Sequence, residues 1–123
     1  MPPPNRARRP VEVAVHPSLA SWYRELKAAA DRGSKDERTL RDALERLFDV
    51  LVRDFQHGEV IRRTRIPRKL VARFGVGNLY VEDLPGFRRM LYTVERAESS
   101  VTVVVLAVID HREYDRLFGL RRR

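Results

Sequence analysis

His111, Arg112 and Tyr114 stand close together in "VIDHREYDRLFGL", the stretch Val108 to Leu120. An imidazole can take up or release a proton near neutral pH. A guanidinium stays charged and can hold two oxygens of a phosphate at once. A phenol can reach the rim of a site with its hydroxyl. The same stretch also reads as plain architecture. Asp110, with Glu113 three positions on, forms a capping box that places His111 and Arg112 in the first turn of a helix. The positive end of that helix disfavours an imidazolium, which suits His111 to act as a base. Tyr114, Leu117 and Phe118 lie at i, i+3 and i+4 and would pack the helix onto a sheet.

A second cationic candidate, Arg89, lies in "FRRMLYTVE". In an extended strand Arg89 shares a face with Phe87, Leu91 and Thr93, while Arg88 shares the other with Met90 and Tyr92. If helices cover one face of the sheet, an arginine on the opposite face meets water and could meet a substrate.

Charge is unevenly distributed. The chain has a net charge of +8 and a pI of about 10.7. Residues 18–55 carry eight basic and eight acidic side chains. Residues 56–73 carry Arg62, Arg63, Arg65, Arg68, Lys69 and Arg73 against Glu59 alone. Such a concentration points to an anionic partner, with nucleic acid the first candidate. A solvated helix face, or a docking surface for an acidic protein, would look the same. The absence of cysteine rules out a disulfide framework and a thiolate metal site. His16, His57 and His111 are far apart, so neither a metal site nor a cofactor is expected. The longest apolar runs are about half a membrane span, and "MPPPNRARRP" lacks a secretory h-region. The expectation is a soluble, cytoplasmic protein with no membrane partner.

The elements that must position these residues follow from periodicity. Val11 to Val15 reads as a strand. A helix starts at Pro17 or Ser18, with Leu19, Trp22, Tyr23 and Leu26 on one face, and Gly33 closes it. A longer helix runs to Phe55 with a sustained leucine stripe. "VIRRTRI" is a short strand or a loop, and a brief helix follows Pro67 with Leu70, Val71 and Phe74 turned inward. Strands at 78–84, 87–95 and 101–109 and a helix at 110–119 complete the chain. The last strand is apolar almost throughout, as in strands buried on both faces. The fold class is α+β. An N-terminal strand and a helical hairpin pack on a mainly antiparallel sheet of about four strands, with a short C-terminal helix. One domain spans residues 11–119, with a disordered basic arm at 1–10 and a basic tail at 120–123.

Two stretches, "LYVEDLPGFRRMLYTV" and "VVVLAVIDHREYDRLF", resemble the RelE/ParE toxin superfamily of type II toxin–antitoxin systems, over residues 11–119. The first has an arginine, Arg89, three positions before a tyrosine, Tyr92. The second ends a buried strand in a basic cluster with a nearby tyrosine. The resemblance implies a RelE-like fold and a metal-independent endonuclease that cuts mRNA on the ribosome, neutralised by a cognate antitoxin. That reaction needs a base for the 2′-OH, an acid for the leaving 5′-oxygen and cations around phosphorus. The site residues it implies are Arg89, His111, Arg112 and Tyr114, and Arg62, Arg63, Arg65, Arg68, Lys69 and Arg73 would track the RNA backbone. The alternatives are a ParE-like toxin that inhibits DNA gyrase without nuclease activity, and a non-toxic RNA-binding protein of the same fold.

Overall fold

The computed structural model describes residues 9–120. Residues 1–8 and 121–123, most of the expected arm and tail, lie outside the described residues. The two arm residues that are described are tied to the domain. Arg9 donates to the Ala97 carbonyl at 2.7 Å, and the Pro10 carbonyl accepts from Val101 N at 2.9 Å.

The chain runs β1 (Val11–Val15), α1 (Pro17–Asp31), α2 (Lys35–Arg53), β2 (Glu59–Val60), a 3-10 turn (Arg63–Arg65), α3 (Arg68–Phe74), β3 (Tyr80–Leu84), β4 (Arg88–Arg96), β5 (Val101–Asp110) and α4 (His111–Leu117). The class is α+β. The sheet has five strands in the order β1-β5-β4-β3-β2, where about four were expected. The addition is β2, two residues that pair with Val81 and Tyr80 of β3. So short a strand has no periodicity to read. β1 pairs parallel with β5, and the other pairings are antiparallel.

Local chemistry starts the hairpin. His16 Nδ1 accepts from Ser18 N at 3.1 Å, and Pro17 occupies the first turn, where its missing N–H is harmless. Gly33 takes φ +97° between the two helices. Leu26, Leu40, Leu44 and Leu51 then bury against one sheet face, on Met90, Tyr92 and Val103.

The opposite sheet face is not left open. Leu70 of α3 and Tyr114 of α4 pack there with Leu79, Leu91 and Leu106. This second layer explains the almost unbroken apolar run of β5. Leu91 pairs with Ala107 but Tyr92 pairs with Val105, so Leu106 is the extra residue of a bulge. Both Leu106 and Ala107 pack in the second layer. Val71, expected to turn inward, is 45% exposed, because α3 contacts the sheet through Leu70 alone among its buried side chains.

One buried hydroxyl secures the irregular passage from α2 to β2. Tyr92 has no exposed surface. Its hydroxyl donates to the Phe55 carbonyl and accepts from Gly58 N, both at 3.0 Å. Its ring stacks on Tyr80 with centroids 5.0 Å apart. A Cβ on Gly58 would stand 2.8 Å from the Tyr92 hydroxyl and 2.9 Å from the Val81 carbonyl, so the passage requires glycine there. Replacing Tyr92 with Phe leaves the half-buried Gly58 N–H and Phe55 carbonyl without this partner. The expected loss is about 1–3 kcal/mol of unfolding free energy, measured by urea denaturation.

Candidate nucleic-acid interface

The passage held by Tyr92 delivers Glu59 to the sheet edge. There Glu59, Val81, Glu82, Asp83, Arg89 and Tyr114 line a pocket of about 230 Å³. A larger hollow of about 630 Å³ shares Glu59 and Tyr114 with it and adds Arg62, Thr64 and Arg65. Together they form a groove from the start of β4 out to the basic segment.

Strand register places Arg89 opposite Asp83 on β3 and Ile109 on β5. Its guanidinium carbon sits 4.2 Å from the centroid of the Tyr114 ring, a cation–π contact. Arg89 Nε lies 3.3 Å from Asp83 Oδ1. The two are close enough to attract but not aligned for a hydrogen bond, and the buried Nε–H has no other acceptor among the described residues. The Arg89 side chain is 29% exposed, less than an open sheet face would leave it.

Tyr114 is placed by the cap of α4, where Asp110 Oδ1 accepts from Glu113 N at 2.8 Å. Its ring stacks on Phe118 at 4.3 Å. Burial pushes its phenol above the ordinary value; Arg89 pulls it back, and Glu59 and Asp115 add to the rise. At neutral pH the phenol is therefore a proton donor.

The residues singled out from sequence divide between places. Arg89 and Tyr114 meet. His111 and Arg112 instead line a separate hollow of about 610 Å³ with Phe87, Asp115, Arg116 and Leu120. The helical repeat sets Arg112 roughly opposite Tyr114 around α4, whereas His111, the first helical residue, is drawn to Phe87. The backbone N–H of His111 donates to the Phe87 carbonyl at 2.9 Å. All six cations of the basic segment are exposed. Arg62 and Arg65 enter the groove, whereas Lys69 and Arg73 line a cleft between α3 and α4 with Arg116. Arg63 lies beside Gly77, and Arg68 enters none of these hollows.

Three acids in the groove were not anticipated: Glu59, Asp83 and Glu82, the last held by His57. Glu59 was visible as the lone acid in a basic segment. Asp83 carried no signal, because its place depends on the β3–β4 register. Among the described residues no group of three or more His, Cys, Asp or Glu could hold a metal ion. No described helix is long and apolar enough to cross a membrane. No family model, no curated protein and no solved structure matches the chain.

His57 sits just before this passage, its Nδ1 2.9 Å from the buried carboxylate of Glu82. The hydrogen bond and then the charge of Glu82 raise the imidazole above its ordinary 6.5. A raised histidine stabilises the fold fully below the unfolded value, and the contribution disappears as pH rises through the folded one. Unfolding free energy is thus expected to fall as pH rises above about 6.5. His57→Gln should flatten that fall in a series of urea denaturations across pH.

Proposed function

We propose that the protein is a RelE-like endoribonuclease that cleaves mRNA on the ribosome without a metal and is neutralised by a cognate antitoxin. The observation that carries the reading is the convergence of Glu59, Arg89 and Tyr114 in one pocket that runs into Arg62 and Arg65. The two hollows supply the parts that RNA cleavage needs.

Glu59 is an exposed carboxylate and takes the proton of the 2′-OH. The 2′-oxygen then bonds to phosphorus and the bond from phosphorus to the 5′-oxygen breaks, leaving a 2′,3′-cyclic phosphate. Tyr114, kept protonated by burial, donates to the departing 5′-oxygen. Arg89 binds the charge that accumulates on the phosphoryl oxygens. Its partner Asp83 is 85% exposed, and an ion pair in water is weak enough for a phosphate to displace. Arg62 and Arg65, with Arg89, offset the three acids of the groove, Glu59, Glu82 and Asp83, and track the backbone.

A second reading, RNA binding without cleavage, is favoured by two observations: His111 stands outside the pocket, and Tyr114 is 7% exposed. Kinetics on the ribosome distinguish the two. Arg89→Ala is expected to slow mRNA cleavage by about 10²–10³-fold, and Glu59→Gln and Tyr114→Phe by about 10²–10⁴-fold each, while His111→Ala leaves the chemical step nearly unchanged. Intact mRNA with salt-dependent binding would select the second reading. DNA supercoiling inhibited with mRNA intact would select a gyrase-directed toxin instead.

A further inference from the structure

The tip of the β3–β4 hairpin holds a feature that the cleavage chemistry does not use. Leu84 pairs with Arg88, so Pro85, Gly86 and Phe87 form the connection. Phe87 has φ +56° and is the one non-glycine residue with positive φ among the described residues. That conformation is disfavoured for a side chain with a Cβ by roughly 5- to 30-fold. Glycine or asparagine would occupy it with little strain. Burial does not compensate, because Phe87 is 78% exposed, the most exposed large hydrophobic residue among the described residues. The strain therefore holds an aromatic ring out in water at a fixed place.

Its surroundings indicate what the ring receives. His111 meets it edge to face, with centroids 5.8 Å apart and planes at 79°. The hollow beside it is lined by the exposed guanidinium side chains Arg112 and Arg116, with Asp115 and Leu120. A flat apolar surface next to two cations matches a nucleobase joined to its phosphate. Phe87 also lies only two residues before Arg89, just ahead of β4, so their backbones are at most roughly 7 Å apart. A single strand in the groove can reach both.

We infer that Phe87 is a stacking platform for a base of single-stranded RNA, with Arg112 and Arg116 holding the adjoining phosphates. His111 is then a positioning residue that steadies the ring. The inference rests on the RNA-directed reading above and adds to it a second contact region, on the far side of α4 from Tyr114. Base stacking on an aromatic side chain tolerates any sequence, so the platform contributes affinity and register more than base choice.

Fluorescence anisotropy of a labelled single-stranded oligoribonucleotide with the full chain tests this. Phe87→Asn removes the ring yet suits the backbone, so thermal unfolding should occur at an unchanged or higher temperature. Its Kd should rise about 5- to 150-fold with the salt dependence unchanged. Phe87→Trp should retain affinity. Arg112→Ala with Arg116→Ala should lower the slope of log K against log salt by about 1.4. An oligonucleotide abasic at the stacked position should bind wild type and Phe87→Asn alike. Wild-type affinity in Phe87→Asn, alongside a loss in Arg62→Ala/Arg65→Ala, would overturn the platform and spare the RNA reading. No RNA binding by the wild-type chain would overturn both. A Phe87→Asn effect confined to self-association would make the ring a protein contact and also overturn the platform.

Discussion

The structure depends on the buried hydroxyl of Tyr92. Between the end of α2 and the start of β2 the chain has no helix and no ladder to satisfy its backbone. Tyr92 takes the N–H of Gly58 and supplies the Phe55 carbonyl, and so closes that stretch onto the sheet. The contact works because Gly58 lacks a Cβ and can approach both Tyr92 and the Val81 carbonyl. Everything beyond it inherits its position: Glu59 at the edge of β3, and Arg62 and Arg65 further out. Buried polar groups are costly without partners, which makes this a sharper constraint than the leucine packing around it.

One strand thereby serves both sides of the sheet. Side chains alternate along β4, so Tyr92 faces the helical hairpin while Arg89, three positions earlier, faces α4. The spacing that drew attention in the sequence combines an anchor and a cation pointing in opposite directions. The charge follows the same division. The hairpin side is built from the electrically balanced region, and the opposite side carries the basic segment.

Arg89 is held in a way that suits exchange. The aromatic face of Tyr114 supports the guanidinium, and a mostly exposed carboxylate balances it. A phosphate can replace that carboxylate while the ring contact persists. The arrangement orders the cation in advance, which would reduce the conformational entropy lost on binding the anionic ligand proposed above.

Periodicity was sufficient for the elements that repeat. The hairpin, its glycine closure, the aspartate cap and the doubly buried β5 all follow from neighbours in the chain, because hydrogen bonding and burial recur there at fixed intervals. Alternation placed Arg88 and Arg89 on opposite faces, and the spacing of the resemblance, Arg89 three positions before Tyr92, picked Arg89 as the one away from the hairpin. The two-residue β2, the bulge at Leu106 and the exposure of Val71 were not, since each is decided by a partner element. Nor was it legible that Tyr114 joins Arg89 while His111 turns to Phe87; that depends on the angle at which α4 leaves β5. The sequence by itself determined which side chains could carry charge and which elements would carry them. Only the tertiary structure decided that Glu59, Asp83, Arg89 and Tyr114 share one pocket, because strand register and helix rotation are set by contacts between residues distant in the chain.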